Sequence, residues 1–402
     1  MSDDQHSALD AAVAEFRGIF KRLEAEAGAR DLSGEHPHGL LRELADAGFG
    51  RLRVPVELGG FGVDLPTLFG LLAEAGKADS NIPQILRGHF TAVEILRHSD
   101  DPETGAYWLR WIADGAIFGN AQSEPAGTAQ GFEITTRIHE ADGRKLVNGT
   151  KYYSTGSLYA DYIRVAVADD EGNRWFAVVS AQHPGVTHVD DWDGIGQRLT
   201  GSGTTVFADV PVEEHGELGR YKEGLRSLPA FVQLVHLANL AGIARSVVEE
   251  TIAVVRSRKR TTPNAQSEQA VQDPDVLGVV GRLHARALTV DSLLRMVAEG
   301  LEAANQLGTD EAYAANYIDV SAAQVAIIEA VLDAATLAFN AGGSSSVREV
   351  VHLDRHWRNA RTLASHNPVV YKPRIIGDFL VNGTAPVSWY AKGRGSRPEE
   401  SQ

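Results

Sequence analysis

The hydrophobic period of the chain changes twice. From Ala8 to Ala27, Leu9, Ala12, Phe16, Ile19 and Leu23 recur every three or four residues, the spacing of one buried helix face. Gly39 to Ala47 and Leu65 to Gly76 read as two more helices. Between them, Val54-Pro55-Val56-Glu57-Leu58-Gly59-Gly60-Phe61-Gly62 reads as a loop, because Pro and clustered Gly interrupt any regular element. From about residue 116 the period falls to two. Phe132, Ile134, Thr136 and Ile138 alternate with mostly polar residues, and Asp142-Gly143 supplies a hairpin turn. Ile163, Val165 and Val167 alternate again, Glu171-Gly172-Asn173 turns the chain, and Trp175, Ala177 and Val179 return it. Short strands joined by turns predict an antiparallel barrel or sandwich. Helical spacing then resumes. Asp273-Pro274 predicts an N-cap followed by Pro in the first turn, and Val276, Val280, Leu283, Ala287, Val290, Leu294 and Val297 follow in steps of three and four. Val325, Ile328, Leu332, Ala335 and Phe339 repeat the pattern until Gly342-Gly343. Two such seams predict an antiparallel bundle.

The expected class is α+β, in three parts: a helical domain over 1–115, a β domain over 116–212 and a helical bundle over 213–402, with a frayed tail from Lys392. At 402 residues, 43% hydrophobic and 23% charged, the chain can bury a sizeable core. It has no cysteine, which excludes disulfides, thiolate nucleophiles and Cys-based zinc sites. A net charge of −15 repels phosphate backbones, so neither nucleic acid nor an anionic membrane is expected as a partner. The start Met1-Ser2-Asp3-Asp4-Gln5-His6 lacks the plan of a signal peptide, and no apolar run of about 20 residues stands out. The expected location is cytoplasmic.

Several strings are candidates for chemistry. His352 and His356 have the i, i+4 spacing of a metal pair, but no HExxH glutamate accompanies them and Arg355 and Arg358 disfavour a cation. They read as structural, and no metal is expected. Gly59-Gly60-Phe61-Gly62 neither follows a strand nor opens a helix, so it is not a dinucleotide fingerprint. There is no P-loop and no G-x-S-x-G elbow. The stretch Gly119-Asn120-Ala121-Gln122-Ser123-Glu124-Pro125-Ala126-Gly127 is dense in short hydrogen-bonding side chains. Asn148 to Gly156 sets Tyr152 and Tyr153 beside Ser154 and Thr155, so a planar ring could stack on one pair and be hydrogen-bonded by the other. Each alone reads as a turn or strand end; together they suggest a planar heterocycle at the edge of the β block. His366, just before Asn367-Pro368, is placed to project from a loop, and its ordinary pKa suits proton transfer, although an ordinary loop histidine reads the same way.

The helical, β, helical order and these strings resemble the acyl-CoA dehydrogenase fold over about residues 10 to 385, which implies a C-terminal four-helix bundle. Val54-Pro55 through Gly62 is similar to that family's early Pro-to-Gly-Gly loop. Ser123-Glu124-Pro125-Ala126-Gly127 and Asn148-Gly149-Thr150-Lys151 look like its two flavin loops. Within the superfamily the chain resembles the two-component, flavin-dependent monooxygenases typified by dibenzothiophene monooxygenase. The matching strings are Phe118-Gly119-Asn120-Ala121, Asp190-Asp191-Trp192 with Ile195-Gly196, Trp357-Arg358-Asn359-Ala360-Arg361-Thr362, and His366 before Asn367-Pro368. The dehydrogenases need a carboxylate base near the C-terminus; here that region reads Ser365-His366-Asn367-Pro368.

The resemblance implies FMN, used as FMNH2, with FAD less favoured and O2 as co-substrate reacting at flavin C4a. The expected activity is oxygenation of a small organic molecule, foremost an organosulfur compound. The resemblance makes His366, Thr155 and Asn120 the catalytic residues. It makes Asn120, Ser123, Tyr153, Thr155, Trp192 and Arg260 the flavin contacts, with Arg258 as the alternative phosphate ligand, and it places His89, Val93 and His366 against substrate. Two positions depart from the pattern: Val93 replaces a tyrosine, and Ser345 stands where a second phosphate-binding arginine is expected, a role Arg348 could take. A separate NAD(P)H-dependent flavin reductase and a homotetramer are implied. Alternatives are N-hydroxylation of an amine or amino sugar, an acyl-CoA dehydrogenase with a displaced base, and a non-enzymatic flavin-binding or assembly protein.

Overall fold

A computed structural model describes residues 3–124, 134–220 and 225–386. The first block folds as α1 (Asp3–Ser33), α2 (His38–Asp46), α3 (Leu65–Ala78), α4 (Asn81–Arg97) and α5 (Pro102–Ala113). The face predicted for α1 is the buried one, with Phe16, Ile19 and Leu23 closed off. α4 has no stripe to read, because 14 of its 17 residues are buried. The Pro-Gly-Gly loop folds back on itself: Phe61 N donates to Arg51 O and Val63 N to Leu52 O. A Cβ on Gly60 would sit 2.0 Å from Val54 O, so this glycine serves a close approach of backbone to backbone.

The middle block is β1 (Phe118–Ala121), β2 (Arg137–Ala141), β3 (Arg144–Lys151), β4 (Tyr162–Ala168), β5 (Arg174–Ser180), β6 (Val186–Val189), β7 (Thr204–Pro211) and β8 (Glu217–Arg220). The strand order is β6-β7-β3-β2-β4-β5-β8, with β1 added beside β4. Both predicted hairpins are present, and Asp142 and Gly143 take the positive φ values (52° and 71°) that a two-residue hairpin needs. The expected β domain is present and mostly antiparallel, and differs only in detail. The sheet is open and mixed, because β1 arrives from α5 and runs parallel to β4, pairing Phe118 with Tyr162 through Ala121 with Val165. The first alternating run is also displaced. Phe132 lies outside the described residues, and Ile134 and Thr136 precede β2, since the Thr135 and Thr136 amides donate to the Glu124 carboxylate instead of to a strand.

The last block is α6 (Leu228–Ser257), α7 (Pro274–Leu307), α8 (Asp310–Gly342), α9 (Asp354–His366) and α10 (Lys372–Asn382). Asp273 caps α7 as predicted, accepting from Asp275 N and Val276 N. The α7 seam is buried from Leu283 to Leu301. In α8 the deepest line is Val320, Ala323, Ile327, Val331, Ala334 and Ala338, one position away from the predicted Val325, Leu332 and Phe339, which are half-buried. By length and composition α6 and α8 could cross a bilayer, yet 94% of the apolar window of α6 is buried inside the protein. Every α6 residue from Leu228 to Ala244 is covered, so it is the central helix of the core. α6, α7 and α8 pack side by side, α9 and α10 lie against α8, and α3 packs on α6. One apolar core therefore runs through α1–α4 and α6–α9, while the sheet has its own, centred on Val147, Ile163, Val165, Phe207 and Val210.

Candidate active site

Asn120 and the turn that carries Thr155 rest on one side of α4. A Cβ on Gly88 would come 2.7 Å from Asn120 Cβ, and one on Gly156 would come 2.4 Å from Ile85 O, so β1 and the turn after β3 both rest on the same helix. Asn120 is nearly buried and its Oδ1 accepts from Gln122 Nε2 at 2.7 Å, which leaves its amide N–H groups to donate elsewhere. Thr155 Oγ1 lies 2.8 Å from Ser202 Oγ, Ser202 Oγ lies 2.7 Å from Thr200 Oγ1, and Thr200 Oγ1 donates to Gln197 O at 2.8 Å. Each hydroxyl has one proton. Thr200 spends its proton on the carbonyl, so Ser202 donates to Thr200 and Thr155 donates to Ser202. Thr155 thus offers only lone pairs outward, next to a donating Asn120.

Beside this pair stands an open aromatic corner. Tyr153, with φ 57° and 53% exposed, sets its ring 5.8 Å from that of Trp192 at an interplanar angle of 70°. Trp192 Nε1 donates to Gln197 O, and its ring lies over Gly194, where a Cβ would come within 2.1 Å. The surrounding loop is pinned on both sides. Asp190 pairs with His36 at 2.8 Å, Asp191 accepts from Thr204 N and Oγ1, and Asn359 Oδ1 accepts from Gln197 N at 2.7 Å. Ser123 is exposed and its carbonyl accepts from Tyr152 N. Next to it Glu124 ties the strand to β3 through the fully buried Lys151 at 2.7 Å. Burial works against both charges. It brings the Lys151 ammonium down to about 8, while Lys151 and the Thr135 hydroxyl hold Glu124 at about 2. Pro125, Ala126 and Gly127 of the same string lie outside the described residues.

His366 is not on a loop: it is the last residue of α9. More than a third of its surface is open, yet surrounding protein deprives its charged form of solvent and, with Arg87, pushes its pKa down to about 3. The residue is open on one side and faces His236 on the other, a half-covered recess. The expectation of a pKa near neutrality is thereby corrected: the imidazole is neutral at pH 7, with one ring N–H to donate in a hydrogen bond and one nitrogen to accept. Its ring lies 4.5 Å from that of His236, which is buried and held neutral by desolvation, His366 and Arg87. Among the described residues no carboxylate contributes to the ionisation of either ring. Arg87 immediately precedes the Gly88 that supports Asn120, so α4 links the recess to the Asn120–Thr155 pair. Arg87 and His236 carried no motif. The signal for His236 was a polar line, Gln233, His236 and Asn239, at steps of three in the otherwise apolar first half of α6.

Other expected positions fall elsewhere. His89 has no exposed surface; Phe118 N donates to its Nδ1 at 3.1 Å and its Nε2 donates to Gly50 O at 2.9 Å. Burial lowers its pKa to about 4. It is a neutral strut between α4, β1 and the turn at Gly50, with no surface open to a cavity in this structure. Val93 is equally closed, packed with Val54, Trp108 and Ile112. Arg258 donates to Ala341 O at 2.6 Å and caps α8, whereas Arg260 is exposed with no hydrogen bond or ion pair among the described residues. Arg260 lies beyond the C-terminus of α6, roughly 30 Å along that helix from His236 at 1.5 Å per residue, so it does not join the other candidates within one chain. Ser345 and Arg348 are exposed near the same end of the bundle. His352 lies outside α9 and bonds Asp31 at 2.8 Å, while His356 Nε2 lies 2.9 Å from Glu250, so the two rings serve different carboxylates. Two surface hollows, of about 520 and 250 Å³, open against α1 and α2 and hold none of the catalytic or flavin candidates.

A reduced flavin suits this donor set. Its N–H and carbonyl edge complements an accepting Thr155 and a donating Asn120, an open aromatic corner stands ready for a planar ring, and the buried Ser154 Oγ has no partner among the described residues. Comparison with known proteins agrees. Residues 3–116 match the Acyl-CoA dehydrogenase, N-terminal domain, and residues 234–371 match the Acyl-CoA dehydrogenase, C-terminal domain. Dibenzothiophene monooxygenase of Mycolicibacterium goodii is 28% identical over 92% of this chain and 94% of its own. FMN-bound TdsC from Paenibacillus sp. A11-2 superposes with a TM-score of 0.87 at 26% identity, covering 95% of this chain and 100% of its own. Methanesulfinate monooxygenase MsuC from Pseudomonas fluorescens gives 0.86 at 26% identity, over 94% and 99%.

Proposed function

We propose that this chain, which belongs to the acyl-CoA dehydrogenase family, is an FMNH2-dependent monooxygenase that oxygenates a small organosulfur compound. The observation that carries this reading is the neutral imidazole of His366 beside His236, with no carboxylate among the described residues contributing to its ionisation. A dehydrogenase must remove a proton from carbon and needs a strong, fixed base. An oxygenase instead needs its flavin shielded from water and proton movement kept in check. Bound reduced FMN supplies the two electrons that activate oxygen.

The chain's own residues do the rest. Thr155, its proton drawn inward by Ser202 and Thr200, accepts from the flavin N–H, and Asn120 donates to the neighbouring carbonyl. Tyr153 and Trp192 cover the ring, and Ser123 borders it. His366, neutral, holds its one proton at an imidazole nitrogen beside the substrate and offers the other nitrogen as an acceptor. Arg260, too distant along α6 to serve its own chain's flavin, contacts the phosphate of a flavin in a neighbouring subunit, which fits a homotetramer. A separate NAD(P)H-dependent reductase supplies the flavin, in the cytoplasm.

The test is to supply reductase-generated FMNH2, labelled oxygen and candidate sulfides, sulfones and sulfinates. One labelled atom should appear in the product. Reduction of flavin by an acyl-CoA, with no oxygenated product, would reverse the assignment.

A further inference from the structure

The outward polarity of Thr155 is fixed because its relay ends on a backbone carbonyl, which can only accept. Asn120 has a choice that no hydroxyl settles: either its oxygen or its nitrogen can face the site. A second chain settles it, and that chain ends on a group that can only donate. Asn120 and Gln122 stand two apart on β1 and the residue after it, so both side chains lie on one face while Ala121 points into the sheet core. β1 lies beside β4, and β4 beside β5. Ala177 and Val179 of β5 share that core with Ala121, so Arg174 and Phe176 lie on the face of Asn120 and Gln122. There the Arg174 guanidinium sits over the Phe176 ring, 5.3 Å from its centroid, and Nη2 donates to Gln122 Oε1 at 3.2 Å. Gln122 Nε2 donates onward to Asn120 Oδ1 at 2.7 Å. The backbone of Gln122 is held as well, since the buried Lys151 Nζ donates to its carbonyl at 3.3 Å.

A guanidinium has five donors and no acceptor. With Gln122 turned over, its N–H groups would face Arg174, and Asn120 would have to turn its own nitrogen inward to meet the Gln122 oxygen. The site would then present two acceptors, Thr155 and Asn120. We infer that Gln122, oriented by Arg174, is a positioning residue that holds the Asn120 N–H groups toward the site, so that a ring edge is matched only where it carries an N–H beside a carbonyl. The inference rests on the proposed function for the identity of that ring as a flavin. Asn120 and Thr155 are thus a donor and an acceptor set by two opposite anchors, Arg174 and the Gln197 carbonyl.

Binding of oxidised FMN to the full chain tests this without turnover. Gln122→Glu keeps the shape and still accepts from Arg174, but it has no proton for Asn120 Oδ1. Asn120 must turn its nitrogen to the new carboxylate and its oxygen to the flavin. Fluorescence titration should give a Kd roughly tenfold or more above wild type. The vibrational difference spectrum of bound FMN should show a carbonyl stretch moved to higher frequency, because a donated hydrogen bond lowers it. Gln122→Met, which leaves Asn120 free to turn either way, should weaken FMN by about two- to tenfold. At the exposed position 174, Arg174→Lys should behave as wild type, whereas Arg174→Glu turns both amides over and should move the same stretch. Thermal melts of the FMN-free variants at the wild-type temperature guard against misfolding. Glu and Met at position 122 acting alike, or a tenfold loss with the stretch unmoved, overturns the inference, since packing or added charge alone would do that. Wild type that binds no FMN sinks the proposed function together with it. FMN bound tightly and indifferent to every change at 122 and 174 sinks this inference and leaves the monooxygenase reading standing.

Discussion

His89 offers a sharp test of whether a cavity ligand or a structural strut occupies position 89. Its pKa is about 4 in the folded protein, against 6.5 when free, because burial excludes the charged form. The folded state therefore binds fewer protons than the unfolded state between those values. The stability contributed is complete above pH 6.5 and is lost as pH falls through 6.5 toward 4. Linkage puts the loss at about 2 kcal/mol between pH 7 and 5 and about 3 kcal/mol once below pH 4. The variant His89→Gln keeps both hydrogen bonds, the new amide oxygen accepting from Phe118 N and the amide nitrogen donating to Gly50 O, but its side chain does not titrate. Urea unfolding of wild type and His89→Gln at pH 7, 6 and 5 should give similar stability at pH 7. By pH 5 the wild type should have lost about 2 kcal/mol more than the variant. Substrate KM should stay within about twofold, since no surface of His89 is open. Parallel stability curves, or a tenfold rise in KM, would show that the strut assignment is wrong.

The remaining predictions concern the walls of the site. Lys151→Met strands the Glu124 carboxylate and should cost about 3–5 kcal/mol in urea unfolding, with Glu124→Gln in the same chain recovering part of it. Arg258→Ala removes the cap on α8 and should lower stability by about 1 kcal/mol with flavin affinity nearly unchanged, whereas Arg260→Ala should leave the melt alone and weaken FMN binding at least tenfold in fluorescence titrations. Gly194→Ala puts a methyl against the Trp192 ring, so the ring must leave Tyr153; FMN affinity should drop severalfold and indole emission should shift. Thr200→Val frees the hydroxyl relay and lets Thr155 donate outward. The ratio of oxidised to reduced FMN dissociation constants, measured anaerobically, should fall severalfold from its wild-type value.

What could be read in the sequence follows from how each element meets solvent. α1 and α7 bury one face each, and their apolar spacing located them. α4 and α6 are covered almost all round, so neither offers a periodic contrast, and both were passed over. Arg87 and His236, the neighbours of His366, lie on those two helices. Motif strings pointed to Asn120, Tyr153, Thr155, Trp192 and His366, which the structure places at a strand, in loops and at a helix end. The same strings could not separate Arg258 from Arg260 within one basic run, where only the Ala341 cap distinguishes them. Nor could they show that His89 faces inward, since a histidine on a wholly buried helix has the same spacing on either side.

The Trp357 to Thr362 string matched as a motif, yet its contacts in this structure are supporting ones. Arg358 donates to Ile195 O at 3.0 Å and to Asp31 Oδ2 at 2.8 Å, and Asn359 holds Gln197 N. A Cβ on Gly196 would meet Arg358 O at 2.3 Å. Gln197 O in turn accepts from both Trp192 and Thr200, the anchor of the aromatic cover and the anchor of the hydroxyl relay. One carbonyl thus couples the orientation of Trp192 to the proton direction of Thr155, and α9 holds that carbonyl in place through Asn359. The same helix ends at His366. Ring cover, hydroxyl polarity and the imidazole of the recess are therefore positioned from a single helix, which explains why a string more than 150 residues from the loop it braces accompanies the flavin motifs.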